Sequence, residues 1–295
     1  MGDRSSLEWL ARDWERSLRA RNRSPRTIQS YLESVRQLIE HAGASDLADL
    51  DRAAVEDFLV HLSETRSAST AAVRYRSLQQ WFKWCVAEEE LDANPMERLS
   101  APAVPDKPVP LLDEEQLKAL FATCAGRGFD DRRDQAILRL FADTGMRLSE
   151  LTGLAIGDLD FDLDVALILG KGRRPRSAPF GNRTGQALTR YLRARSKHPH
   201  EKSDALWLGS RGPMTVSGIR RVVRVRGEQA DIEGLHPHVL RHVFADQWLS
   251  NGGTEGDLMR VAGWKSREML QRYGAAGADK RANDAHRRMA LGDRF

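Results

Sequence analysis

Apolar residues recur at helical spacing through the first hundred positions. Leu7, Leu10, Trp14 and Leu18 form one stripe, opened by Ser5 and Glu8 at the spacing of a capping box. Ser24 and Pro25 supply an N-cap and a first-turn proline, and Ile28, Tyr31, Leu32, Val35 and Leu38 share one face until Gly43 stops the helix. A third pattern runs from about Asp51 to Leu62, and a fourth from about Ala68 through Trp81, Phe82 and Val86. Four helices with short loops predict a small bundle, with Trp9, Trp14, Trp81 and Trp84 filling its core.

Pro95, Pro102, Pro105, Pro108 and Pro110 then crowd one stretch that neither a helix nor a central strand tolerates. Residues 95–112 are expected to be an extended linker between a unit over 1–94 and another over 113–295. Beyond it, Asp113 and Gln116 cap a helix carrying Leu117, Leu120 and Phe121, and a second helix covers 134–145. The period changes at DLDFDLDVALILG, which alternates and is β-rich. RRPRSAPF follows a Lys171-Gly172 turn, predicting a β-hairpin with a basic tip. Helices resume at about 185–195, 215–229, 238–250, 254–261 and 266–273, with Gly252, Gly253 and Gly263 as stops. The fold class is mainly α, a four-helix bundle plus a mostly helical domain with a small antiparallel sheet.

A length of 295 residues suits two domains better than one core. No apolar run reaches the ~18 residues of a spanning helix and the N-terminus lacks a signal h-region, so a cytoplasmic protein without a membrane partner is expected. Met1-Gly2 with Ser6 fits the loose myristoylation pattern, but no polybasic second signal accompanies it. Cys85 and Cys124 sit in apolar helical patterns and read as buried reduced thiols. The net charge of +4 conceals a strong asymmetry. Residues 1–100 hold 14 basic and 17 acidic side chains, whereas 171–228 hold 15 and 3. Such a block points to a polyanionic partner, against the plainer reading of a solvated loop region. Arginine outnumbers lysine 38 to 8, from a GC-rich genome or from selection for phosphate forks, and the count does not separate these.

Four places could carry chemistry. Arg147 in TGMRLSEL follows a helix-ending glycine, where an ordinary surface arginine is the plainer reading. Lys171 lies between two glycines that would let backbone approach a ligand, though taken alone a turn lysine in solvent is the plainer reading. His238, Arg241 and His242 share a helical face in HPHVLRHVFAD and suit an anionic oxygen centre. The two histidines at i,i+4 have zinc spacing, but HVLRH lacks the glutamate of HExxH and a third ligand. Trp264 and Tyr273 stand in VAGWKSREMLQRYG, the tyrosine readable equally as a partly buried structural residue. No P-loop, GxSxG, dinucleotide fingerprint or metal-binding carboxylate cluster occurs, so phosphate chemistry would run on Arg, Lys, His and a side-chain nucleophile.

Taken in order, the Arg of TGMRLSEL, a hairpin Lys, HxxR in HVLRH, AGW and a C-terminal Tyr resemble the tyrosine recombinases, the phage-integrase-type site-specific recombinases. The likeness spans nearly the whole chain. It implies a C-shaped DNA clamp, with a SAM-like core-binding bundle over 1–94 and a catalytic domain over 113–295. Tyr273 would be the nucleophile that forms a 3′-phosphotyrosine, Arg147 and Arg241 would hold the phosphate oxygens, and His238 would be general base or proton shuttle. Lys171 would protonate the leaving 5′-oxygen, and Trp264 would occupy a position the family fills with His or Trp, here able only to donate. Glu150 would orient its neighbours and His242 would support the site. The resemblance implies no cofactor, neither ATP nor a divalent metal, because the phosphotyrosine conserves the bond.

The implied partner is double-stranded DNA, gripped by Arg173, Arg174, Arg176, Arg220, Arg221 and Arg224, with Arg21, Arg23, Arg26, Arg66, Arg74 and Arg76 serving the bundle. A tetramer would assemble on paired sites through a tail anchored by Leu291 and Phe295, with an accessory directionality factor as a further partner. The chain begins with the bundle, without the arm-site module of larger integrases, which groups it with Xer-like enzymes and small integrases. An integrase of a phage or mobile element is the leading expectation, and an Xer-type dimer resolvase the alternative. A DNA-binding regulator without chemistry and a type IB topoisomerase-like relaxing enzyme are the other readings.

Overall fold

The Ser6 hydroxyl opens α1 (Leu7–Ala20) by accepting the Trp9 N–H at 3.3 Å, one residue later than the Ser5 expected. The computed structural model describes residues 6–105, 111–169, 175–264, 266–274 and 277–290, so Ser5 lies outside the described residues. Ser24, Asp51 and Ser67 cap α2 (Pro25–Ala42), α3 (Arg52–Thr65) and α4 (Ala68–Ala87) in the same way. Trp14 and Trp81 meet edge to face at 5.1 Å, and Trp84 stacks on Trp81 at 5.3 Å. Trp9 does not join them and is 37% exposed. Two positions from Leu7 is about 200° round a helix, which points it away from the inward stripe. Arg74 also turns inward, donating to the Ser30 carbonyl and Ser34 Oγ. The proline-rich stretch begins inside this unit, since Met96 is buried and the Leu99 carbonyl accepts the Tyr75 hydroxyl at 2.5 Å.

The chain divides into two units, Met1–Lys107 and Pro108–Phe295. The second opens with α5 (Glu114–Ala122), capped reciprocally by Asp113 and Gln116. Its centre is α6 (Phe129–Thr144), buried almost all round through Ala136, Ile137, Leu138, Leu140 and Phe141. The helix starts five residues earlier than its apolar pattern, because Asp130 and Asp131 favour a helix N-terminus without adding to an apolar stripe. After α7 (Leu148–Thr152), the alternating segment breaks into β1 (Leu159–Asp160) and β2 (Val165–Leu169). Asp160 Oδ1 accepts the N–H groups of Asp162 and Leu163, making the turn between them. β2 pairs antiparallel with β3 (Pro175–Pro179), from Val165 opposite Pro179 to Leu169 opposite Pro175. The expected hairpin tip, with Lys171, Arg173 and Arg174, lies outside the described residues.

α8 (Asn182–Arg195), the short pair β4 (Leu208–Gly209) and β5 (Gly212–Pro213), and α9 (Val216–Gln229) follow. α10 (Pro237–Ser250), α11 (Glu255–Ala262) and α12 (Arg267–Gly274) complete the expected helices. The sequence pattern missed α13 (Ala278–Met289), whose charged composition carries almost no apolar stripe. Arg281 fastens it to Asp246 of α10, and Leu291 and Phe295 lie outside the described residues. Among the described residues no helix is long and apolar enough to cross a membrane. Both cysteines are buried and free, and burial pushes the Cys85 thiol up to about 12.

Several arginines of the basic block serve this interior. Arg195 donates to the carbonyls of Glu201, Ser203, Ala205 and Leu206. Asp134 lies between Arg133, at 2.8 Å on one carboxylate oxygen, and Arg226, at 2.8 Å on the other. Both guanidiniums are nearly buried and each keeps a second carboxylate, Asp130 on Arg133 at 2.7 Å and Asp131 on Arg226 at 2.9 Å, so removing Asp134 takes away the one carboxylate they share. Asp134→Ala is expected to destabilise this unit by about 1–3 kcal/mol, read as an earlier midpoint in urea denaturation.

Candidate active site

Two helix ends and one strand build the site. α6 stops at Gly145, whose φ of +55 and closeness to Phe244 (a Cβ would meet its ring) both require glycine. The chain then turns directly into Arg147, the N-cap of α7. Glu150 reaches back, with Oε2 accepting the Arg147 backbone N–H at 2.8 Å and Oε1 accepting Arg147 Nη1 at 2.8 Å. From β3, Arg176 Nη2 donates to the same Oε2 at 2.8 Å. The Glu150 side chain is only 7% exposed. Burial opposes its charge, but the Arg147 N–H, the Arg176 charge and the Arg147 side chain outweigh that and hold the carboxyl below its ordinary range. Burial lowers the pKa of Arg176.

The second helix end is that of α11. Gly263 takes φ +66, and the Trp264 N–H returns to the Met259 carbonyl at 2.8 Å. The two carbonyls beyond are taken by arginines from elsewhere: Arg176 Nη1 holds Val261 O at 2.6 Å, and Arg241 Nη2 holds Ala262 O at 2.9 Å. Arg241 Nη1 donates to the Gly145 carbonyl, tying α10 to the end of α6. Arg241 is 1% exposed, and its guanidinium carbon stands 5.2 Å from the Trp264 ring centroid. Where the resemblance implies direct phosphate contact, this guanidinium sits just beneath the surface.

The exposed groups here are Arg147, with a side chain 40% exposed, and His238 at the start of α10. Partial desolvation lowers the His238 pKa, helped by His236, Arg241, Arg220 and Arg147 in that order. The His236 and His238 rings meet edge-on at 6.0 Å, and His236 is lowered by desolvation and by Arg220. The imidazole of His238 is therefore neutral near pH 7, able to accept a proton.

Arg147, His238, Arg241 and Trp264 thus come together from three segments, His238 and Arg241 both on α10, with Glu150 beneath Arg147. His242 is buried further along α10. Arg220, Arg221 and Arg224 stand exposed on α9, Arg224 pairing with Glu228 at 2.8 Å. Lys171 lies outside the described residues, and of Tyr273 only the backbone, in α12, is described. Among the described residues no three His, Cys, Asp or Glu side chains gather as a metal site. Arg176 departs from its expected place on the DNA-gripping surface. Its side chain is 15% exposed and committed to Glu150 and Val261, because β3 carries it under the α11 turn. Its ordinary appearance in a basic run hid this, and the glycine after α11 was the one local signal of a close approach.

Residues 110–279 match the phage integrase family and residues 10–91 the phage integrase N-terminal SAM-like domain. The chain is 31% identical over 268 residues to the tyrosine recombinase XerC of Bacillus pumilus, covering 86% of this chain and 87% of that protein. It is 33% identical over 235 residues to the XerC of Pseudomonas aeruginosa, covering 78% and 77%. Its fold is similar to that of the XerH site-specific recombinase bound to palindromic difH substrate, at TM-score 0.74 and 20% identity over 90% of this chain and 81% of that one. A lambda integrase dimer bound to a COC′ core site matches at TM-score 0.75 and 14% identity over 91% and 77%.

The histidine environment makes a measurable prediction. With folded pKa values of His236 and His238 below the unfolded value, the unfolded chain binds protons first as pH falls. Their contribution to stability is present above about pH 6.5 and is lost below it. NMR titration should find His238 below the free imidazole value, and Arg220→Ala should raise it.

Proposed function

The chain belongs to the phage integrase family, the tyrosine recombinases, and on that footing we propose how its own residues cut and rejoin DNA. The convergence of Arg147, His238, Arg241 and Trp264 on one place carries the proposal. The Tyr273 hydroxyl attacks the scissile phosphorus, forming a phosphotyrosine bond as the bond to the 5′-oxygen breaks. A phenol with an ordinary pKa of about 10 needs help at neutral pH, and neutral His238 accepts its proton. Lys171 protonates the leaving 5′-oxygen. Negative charge builds on the non-bridging oxygens in the transition state, where Arg147 answers it from the surface and Arg241 from beneath. Trp264 donates its indole N–H and packs on Arg241.

A 5′-hydroxyl from a partner strand reverses the step and joins the exchanged ends. The phosphodiester is conserved as a phosphotyrosine, so neither ATP nor a divalent metal enters the balance. Duplex DNA is held by Arg220, Arg221 and Arg224 of α9 with Arg173 and Arg174 of the hairpin, and in the first unit by the exposed Arg21, Arg23, Arg26, Arg66 and Arg76. Four protomers act on two sites, joined through the tail bearing Leu291 and Phe295.

The relatives compared above are XerC recombinases along most of both lengths, which favours an Xer-type enzyme resolving chromosome or plasmid dimers. Integration for a phage or mobile element, the first expectation from sequence, uses the same chemistry on different sites. On a nicked suicide duplex carrying its site, wild-type protein is expected to accumulate a covalent adduct and Tyr273→Phe none. Adduct from the variant would remove Tyr273 as nucleophile, and relaxation of any supercoiled plasmid without a site would mark a topoisomerase. Resolution of a plasmid bearing two directly repeated sites supports the Xer-type reading. Recombination confined to two dissimilar attachment sites, helped by a directionality factor, supports integration.

A further inference from the structure

Arg176 joins its own strand to two segments that are distant in the chain. Its own strand, β3, continues from the hairpin; one guanidinium nitrogen holds Glu150 Oε2 at 2.8 Å and another holds Val261 O at 2.6 Å. Gly263 packs against the same group, close enough that a Cβ there would stand 2.6 Å from Arg176 Nε. The guanidinium is planar, so these two bonds fix the spacing between the α7 end and the α11 end to that of one rigid fork.

Arg147 depends on that spacing. It is the more exposed of the two guanidiniums on Glu150, and its side-chain bond in the structure is to Glu150 Oε1. Glu150 stays in place because both oxygens are occupied, Oε2 by the Arg147 backbone and by Arg176. Without Arg176, the buried carboxylate loses one of two cations and the Val261 carbonyl loses its donor, so both ends can shift. The turn beyond Val261 carries Trp264 and leads into α12, where Tyr273 stands.

We propose that Arg176 is a positioning residue of the recombination site, holding Arg147 through Glu150 and the Trp264 turn through the Val261 carbonyl in one fixed relation. It acts through these groups and not by gripping DNA. The role rests on the recombinase reading above.

The test compares wild type with Arg176→Met, Arg176→Lys, Glu150→Gln and the Arg176→Met/Glu150→Gln double variant. Single-turnover adduct formation on the nicked duplex, duplex affinity and melting temperature are measured for each. Arg176→Met is expected to slow adduct formation by about 100-fold, the cost of a misplaced site, with duplex affinity held and the melting temperature lowered because a buried pair is broken. Arg176→Lys should fail to restore the rate, because an ammonium makes a point contact where a fork is needed. The double variant should be no slower than the slower single one, because both remove the same link. On a scissile methylphosphonate, which lacks the negative charge that Arg147 answers, the deficit of Arg176→Met relative to wild type should shrink at least about tenfold.

An unchanged rate, multiplicative losses in the double variant, or a loss matched by weaker duplex affinity would overturn the role. So would full rescue by Arg176→Lys. The cycle is read on the phosphate substrate alone, so it stands whether or not the methylphosphonate is cut. Arg176→Lys and Glu150→Gln carry the test if Arg176→Met does not fold. Absence of adduct from wild type itself would be a failure of the recombinase reading, distinct from these.

Discussion

A buried carboxylate keeps its charge only when donors occupy its oxygens, and Glu150 meets that demand with two arginines from different segments. Each arginine then serves a second purpose. Arg147 presents its remaining guanidinium edge outward, and Arg176 reaches on to the last turn of α11. The circuit closes through Arg241, which joins the Ala262 carbonyl to the Gly145 carbonyl two residues before Arg147. Two helix C-termini whose carbonyls would otherwise be orphaned become the fixed points of the site.

The same economy runs through the second unit. Its basic block contains arginines of two kinds that are chemically identical and physically opposite. Arg195, Arg226 and Arg176 are nearly dry and satisfy carbonyls or carboxylates. Arg220, Arg221 and Arg224 stand in solvent on α9. Charge counting adds them together, whereas only the second kind projects a field that draws in a polyanion. Partial desolvation of His238, with His236 and the charges of Arg241, Arg220 and Arg147 beside it, keeps the imidazole in the neutral form that a proton acceptor needs.

Position in the circuit also explains the glycines that punctuate it. Gly145 and Gly263 both take positive φ, and each lies where another side chain closes on the backbone, Phe244 on the first and Arg176 on the second. A substitution at either would strain the turn and displace the neighbour together. The site is thus rigid at its corners, while Arg147 and His238 are the parts left facing water.

The helical bundle, most helix boundaries and the pairing of β2 with β3 were legible in the sequence, because periodicity, caps and turn residues are local signals. The starts of α1 and α6, the split of the alternating segment into β1 and β2, and α13 were not. Each depends on a polar contact or a dipole that leaves no apolar stripe, such as the Ser6 cap, Asp130 and Asp131, the Asp160 turn or the Arg281–Asp246 pair. The order of Arg147, His238, Arg241, Trp264 and Tyr273 along the chain was enough to identify the family. What only the tertiary structure decided is where each arginine points. A residue type carries its charge and fork geometry wherever it stands, but whether Arg176 meets a phosphate or a buried glutamate depends on the strand that delivers it beneath α11. That is a property of the packing and not of the local sequence.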